Sequence, residues 1–489
     1  MAERNWRRAF MTVSRPAETE LFRLSAVDAV DLLRRREVSP LDLVEASIAR
    51  IEAVEPAINA LPIRAYERAR AHARALMQGE RRGAATHPAW LGGLPVAIKD
   101  LMDVDGLPTT YGCPMFRDNV ATRSDPMVAL LEARGAIVVA KSNTPEFGML
   151  PVTDNRVFGA THTPWKVGRT AGGSSGGAGA AVASGEVWLA HGSDIGGSLR
   201  IPAACCGVVG HRPSSGRVPR TPTKRGFSPM AVQGPMARSV ADVALFLDAQ
   251  TAMSRHDPLT LPEVPGQFLA AVRSARPPAR VAFTPGFGLD PVDPAVTAIV
   301  RRAAGALEDM GCIVEEAHPD LGDMRRLYLT LIAMNLLTER EAFVAEHRDR
   351  LEPVQCMVVD NALRLTPSDI AWAERARAEM FERVASFFDR YDYILSPTLG
   401  VAPFASDRRD AETDGWAQSQ PPGWFQQCWG TVLTASPIAS ILAGFTEDGL
   451  PLGLQVMGPI LDDAGVLATA HLIEQALGLA GALPIDPRF

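Results

Sequence analysis

Two glycine-wrapped serine clusters lie close together in the chain. They are Gly172-Gly173-Ser174-Ser175-Gly176-Gly177 and Gly196-Gly197-Ser198. Glycine tolerates positive φ without steric cost, so such a segment can turn sharply. It also leaves the neighbouring N–H groups uncovered. A hydroxyl among bare N–H donors suits a nucleophile beside an oxyanion hole. The stretch Gly192–Arg200 is expected between a strand, Val187–Ala190, and a helix, Ser198–Cys205. The N–H groups of Ile195, Gly196, Gly197 and Ser198 could then converge, helped by the partial positive charge of a helix N-terminus.

A serine nucleophile needs a base. His191 and His211 sit in no recognisable motif, and no GxSxG nucleophile elbow, with its serine on a strand-to-helix turn, is read here. Both read as satisfied polar core groups. Lys99 is the other candidate. It ends the apolar run Leu94-Pro95-Val96-Ala97-Ile98, where desolvation would favour the neutral amine. Ser174 could carry a proton between Lys99 and Ser198, because a hydroxyl donates and accepts at once. Nucleotide binding fits less well. GGSSGG lacks the terminal GK[ST] of a phosphate loop, and no GxGxxG follows a strand.

These residues resemble the amidase signature family. The match includes GGSSGG, the run GSDIGGSLRIPAACCGVVGHRPS, the lysine motif Gly93–Asp100, Ala140–Phe147, and Gly444-Phe445-Thr446 through Gly458. It runs from about residue 25 to 480. The resemblance implies Ser198 as the acyl-accepting nucleophile, Ser174 as the bridging serine and Lys99 as the base. Ser175 would be a supporting hydroxyl, and Asp194 and Arg200 a pair behind the nucleophile loop. Ile195, Gly196 and Gly197 would be the oxyanion donors. The Gly173–Ser174 peptide would be cis.

The implied fold is α/β: one large mixed, twisted β-sheet sandwiched between helices. No metal or organic cofactor is expected. The expected activity is hydrolysis of a carboxylic amide, an aryl or alkyl acylamide, through a seryl acyl-enzyme. Carbamate hydrolysis by the same triad is an alternative. So is the glutamine-hydrolysing subunit of a transfer-RNA amidotransferase, although Arg212-Pro213-Ser214-Ser215-Gly216 departs from that subunit's usual Lys-Pro-Thr-Tyr-Gly. Met149, Leu150, Phe425 and Trp429 are candidate walls of an apolar substrate pocket.

The flanking elements must hold these groups. Ser25 with Asp28, and Ser39 with Asp42, are capping signals for helices at about 26–36 and 40–54. A third helix is expected at Arg64–Met77. From Leu94 onward short apolar strands alternate with helices, the texture of a buried sheet. Residues 251–279 read as a proline-rich connection, 321–390 as long helices forming a cap, and 400–424 as a loop. Strands at 439–442 and 452–456 and a helix at Asp463–Leu477 close the chain. The domain expectation is a helical arm over 1–80, followed by the α/β body over 81–489.

Composition narrows the partners. Among 489 residues, 49 are basic and 56 acidic, for a net charge of −7. That argues against a nucleic-acid partner, which usually meets a basic face. No apolar run is long enough for a membrane span, and Met1–Phe10 lacks the apolar core of a signal. The six cysteines form no CxxC pair, and the nine histidines no zinc motif. The expectation is a cytoplasmic protein with free thiols, a small-molecule substrate, and N-terminal helices that could support a homodimer.

Overall fold

The chain is described by a computed structural model covering residues 18–79, 86–220, 225–289, 292–408 and 423–489. Helices α1 (Ala26–Arg35) and α2 (Pro40–Ile58) open it. Ser25 Oγ accepts from the Asp28 N–H, and Ser39 with Asp42 forms a reciprocal capping box, so both starts lie where the capping signals put them. Strand β1 (Ile63–Arg64) and helix α3 (Tyr66–Gln78) follow. The N-terminal arm is therefore not purely helical. Its two-residue strand extends the sheet by pairing with β3 (Ile137–Ser142).

The centre of the fold is β2 (Pro95–Lys99), buried at every position between parallel neighbours β3 and β4 (Leu189–Asp194). Pro95 stands at the strand's first residue, where a missing N–H is tolerated. Helix α4 (Pro126–Ala133) connects β2 to β3. Helices α5 (Gly176–Ser184) and α6 (Arg200–Cys206) flank β4. All nine residues of α5 are buried. A Cβ at Gly177 would meet the Ala60 carbonyl at 2.5 Å, so only glycine lets α5 approach that closely.

Strands β5 (Val209–Arg212) and β6 (Val232–Ala237) continue the sheet, with α7 (Val240–Gln250) and α8 (Gln267–Arg273) behind them. The second half adds β7 (Arg280–Phe283), α9 (Pro294–Ala304) and β8 (Ile313–Glu316). Three long helices fall within residues 321–390: α10 (Met324–His347), α11 (Pro353–Leu363) and α12 (Pro367–Phe388). The chain ends with β9 (Tyr393–Pro397), α13 (Gln427–Leu433), β10 (Ile438–Phe445), β11 (Pro451–Met457) and α14 (Asp463–Leu477).

The strands form one 11-stranded mixed sheet, in the order β1-β3-β2-β4-β6-β5-β10-β11-β9-β7-β8. The expected α/β sandwich is thus the observed one. Other elements also depart from the sequence reading. Strand β6 was not anticipated because Gly234 and Pro235 interrupt its pattern. It forms because β4 pairs along its whole length, from Leu189↔Ala237 to Asp194↔Val232. Helix α8 lies inside the proline-rich 251–279 connection. Most of the 400–424 loop, from 409 to 422, falls outside the described residues.

Candidate active site

Lys99 is the last residue of β2 and is fully buried. Its ammonium nitrogen reaches Ser174 Oγ at 2.8 Å, Ser175 Oγ at 2.9 Å and Ser193 Oγ at 3.1 Å. Burial holds this lysine down to about 7, against the opposing pull of the Asp194 carboxylate. A group poised there exchanges protons near neutrality. Ser174 and Ser175 lie on the turn into α5, and the Gly173–Ser174 peptide is cis. A Cβ at Gly173 would stand 2.7 Å from the backbone of Val152, which explains the glycine at that position.

Ser198 lies on the loop between β4 and α6. The Ser175 N–H donates to the Ser198 carbonyl at 3.2 Å, so the two serine segments are tied through their backbones. Asp194 organises the loop from behind. Its carboxylate accepts from the Gly197 N–H at 2.8 Å, the Leu199 N–H at 3.2 Å, and Arg200 at 3.1 and 3.2 Å. Arg212 donates to the Asp194 carbonyl at 2.8 Å. Burial would raise the Asp194 carboxyl, but Arg200 and Arg212 outweigh it and hold the group well below the usual carboxylate range. The Gly197 N–H is thereby committed to Asp194. Of the four amides expected to converge, that of Gly197 thus donates to a side chain of the loop itself.

Ser174 and Ser198 line one cavity of about 600 Å³, together with Ser193, Asp194 and Ile195. One wall is aromatic: Tyr111, Phe116, Phe147 and Phe343. Tyr111 stacks on Phe147 with centroids 6.0 Å apart, and Phe343 meets Phe147 edge-on at 5.7 Å. Leu101, Met149 and Leu336 add apolar surface. The polar wall carries Arg220, Arg225, Glu339 and Arg340, with Arg225 and Glu339 paired at 2.6 Å. Asp103 and Asp125 also line the cavity, and burial pushes the Asp125 carboxyl up to about 6.

The structure therefore brings together Lys99, Ser174, Ser175, Asp194, Ile195, Ser198 and Met149. Three expected pocket residues lie outside this cavity's lining. Leu150, Phe425 and Trp429 are not among the cavity's lining residues. The Leu150 carbonyl packs against Gly173. Phe425 and Trp429 are buried in an aromatic cluster, edge to face at 5.3 Å. Residue type alone does not separate core from cavity wall. Ser193 and Arg212 were missed as functional neighbours, although both flank recognised residues in the same run. The aromatic wall was missed because its members come from three distant segments.

His191 and His211 are buried, but the Nδ1 of each has no hydrogen-bond partner, so the expectation of satisfied core groups is met only at Nε2. Burial holds His191 down to about 3, and its Nε2 lies 3.2 Å from Gln233 Oε1. His211 Nε2 lies 3.3 Å from Asp463. All six cysteines are free. Among the described residues, no group of three or more His, Cys, Asp or Glu side chains could hold a metal ion. Nor is any helix there long and apolar enough to cross a membrane.

A mixed sheet that buries a lysine among serines beside such a cavity is the architecture of an amidohydrolase acting on carbon–nitrogen bonds. Known proteins agree. The family described as Amidase matches residues 42–467. An acylamidase of Rhodococcus erythropolis is 37% identical over 476 residues, covering 96% of this chain and 98% of its own. Among solved structures, a bacterial aryl acylamidase of the amidase signature enzymes superposes with a TM-score of 0.86 at 29% identity. It covers 95% of this chain and 99% of its own. A 6-aminohexanoate cyclic dimer hydrolase reaches 0.84 at 27% identity, covering 96% and 99%. The chain belongs to the amidase signature family.

Proposed function

We propose that this amidase hydrolyses acylamides with an aryl or alkyl group, through an acyl-enzyme on Ser198. The observation that carries the reading is the Lys99–Ser174 hydrogen bond of 2.8 Å at a lysine that burial holds down to about 7. Neutral Lys99 takes the Ser174 proton as Ser174 takes the proton of Ser198. The Ser198 Oγ forms a bond to the amide carbon, and the carbonyl π pair moves to oxygen. The N–H groups of Ile195, Gly196 and Ser198 receive that charge. One such donor is worth about 3–4 kcal/mol of transition-state stabilisation. The carbon–nitrogen bond then breaks, and the proton returns through Ser174 to the leaving amine. Water enters by the same relay and releases the acid.

The aromatic wall of Tyr111, Phe116, Phe147 and Phe343 supports an aryl group in the cavity. The printed names of the acylamidase and aryl acylamidase relatives point the same way. The free cysteines are in keeping with a cytoplasmic protein. The test is an acyl anilide series with the purified chain, run beside aryl carbamates and aliphatic amides. A burst of aniline with an acyl adduct on the Ser198 peptide is expected, and Ser198→Ala should lack both. Wild-type turnover in Ser198→Ala would end the reading.

A further inference from the structure

We propose that Tyr328 is a positioning residue for the oxyanion loop: its hydroxyl fixes the plane of the Ile195–Gly196 peptide and so aims the Gly196 N–H into the cavity. The proposal rests on the reading of that loop as the oxyanion hole. Tyr328 stands near the start of α10 and is buried. Its hydroxyl donates to the Ile195 carbonyl at 3.2 Å. That carbonyl belongs to the same peptide unit as the Gly196 N–H. A peptide is planar and trans, so its C=O and N–H point in opposite directions. Holding the oxygen toward α10 turns the hydrogen away from it.

Two further contacts make this a fixed arrangement. The Tyr328 ring stacks on Trp429, with centroids 4.5 Å apart and planes 7° from parallel. Trp429 is held in turn by Phe425. On the other side, a Cβ at Gly196 would collide with the Tyr328 hydroxyl. Gly196 has no positive φ, so space is what restricts this position to glycine. The loop is thus gripped twice: Asp194 holds the amides of Gly197 and Leu199, and Tyr328 holds the Ile195–Gly196 peptide that precedes them. Burial keeps the phenol protonated, so the hydroxyl remains a donor throughout the working pH range. Helix α10 also lines the cavity through Leu336, Glu339, Arg340 and Phe343, so one rigid element joins substrate wall and oxyanion loop.

Tyr328→Phe removes the hydroxyl and keeps the ring stack. With an acyl anilide, and with rates normalised to sites titrated by a serine-directed fluorophosphonate, kcat should fall about 10- to 100-fold. KM should stay within about twofold, and the pH at half-maximal rate should not move. An unchanged kcat per titrated site, or a loss confined to KM, would overturn the proposal. Ser198→Ala, run alongside, separates the two ideas: if it retains turnover, the acyl-enzyme reading has failed, whatever Tyr328 does. Gly196→Ala supplies a second measurement. Its loss should be smaller in the Tyr328→Phe background than in the wild type, because the colliding oxygen is gone. Strictly multiplicative losses would reject the contact as the cause.

Discussion

Asp100 pairs with Lys141 at 2.7 Å, not with Lys99, its neighbour in the chain. Both partners are buried, Lys141 at 0% and Asp100 at 1% side-chain exposure. Lys141 also donates to the Pro108 carbonyl and the Thr109 hydroxyl, each at 2.7 Å. The pair gives a buried carboxylate, one residue beyond Lys99, its cation.

Lys141→Met should therefore act twice. It leaves a buried carboxylate without its cation, a loss of about 3–5 kcal/mol in urea unfolding. It should also raise the pH at which activity appears, since an uncompensated Asp100 stabilises protonated Lys99. Adding Asp100→Asn should restore part of both. A pH profile unchanged in Lys141→Met would show that Asp100 has no hold on the base.

The pH dependence follows from burial of Lys99. With its pKa held down to about 7, kcat/KM should rise through that pH and level off above it. Stability has a defined sign as well. Between about 7 and the unfolded-chain value of about 10.4, the unfolded lysine binds a proton that the native one does not. The lysine's contribution to stability therefore increases with pH across that window. Lys99→Met should abolish turnover, and its stability advantage over the wild type should shrink between pH 7.5 and 9.5. Denaturant titrations at the two pH values provide the check; an advantage that grows would contradict the burial argument.

Phe343→Ala opens the aromatic wall at a helical position whose backbone is unstrained. Losing one aromatic contact of about 1.5–3 kcal/mol should lower kcat/KM for acyl anilides roughly 10- to 100-fold. A short aliphatic amide, too small to reach Phe343, should change little. Equal losses on both substrates would mean that the ring supports the fold and not the substrate.

The candidate reactive groups were legible in the sequence because each stands in a short run with its own physical logic. Lys99 ends an apolar run, the serines stand among glycines, and Asp194 and Arg200 flank the second cluster. Helix α14 was bounded at Asp463–Leu477 from pattern alone. What escaped depends on pairing across long distances. Strand β6 carries Gly234 and Pro235 and owes its form to β4. The aromatic wall combines the 111–116 segment, Phe147 and α10. Phe425 and Trp429 are apolar in the way a pocket wall is, yet they stack within the protein. Nothing local marks Tyr328, whose partner lies 133 positions away.

Arg200 reaches back to Asp194 but forward to the Cys428 carbonyl, Thr431 Oγ1 and Gln455 Oε1. During synthesis the lysine–serine cluster, spanning residues 99–193, leaves the ribosome long before those last partners exist. A nascent chain halted before residue 428 carries the reacting groups, with an arginine beside them lacking most of its hydrogen-bond acceptors. Bringing Arg200 to its final place thus requires nearly the whole polypeptide. Competence should therefore be acquired late in translation, and fragments ending before residue 428 should lack activity although they carry Lys99, Ser174 and Ser198.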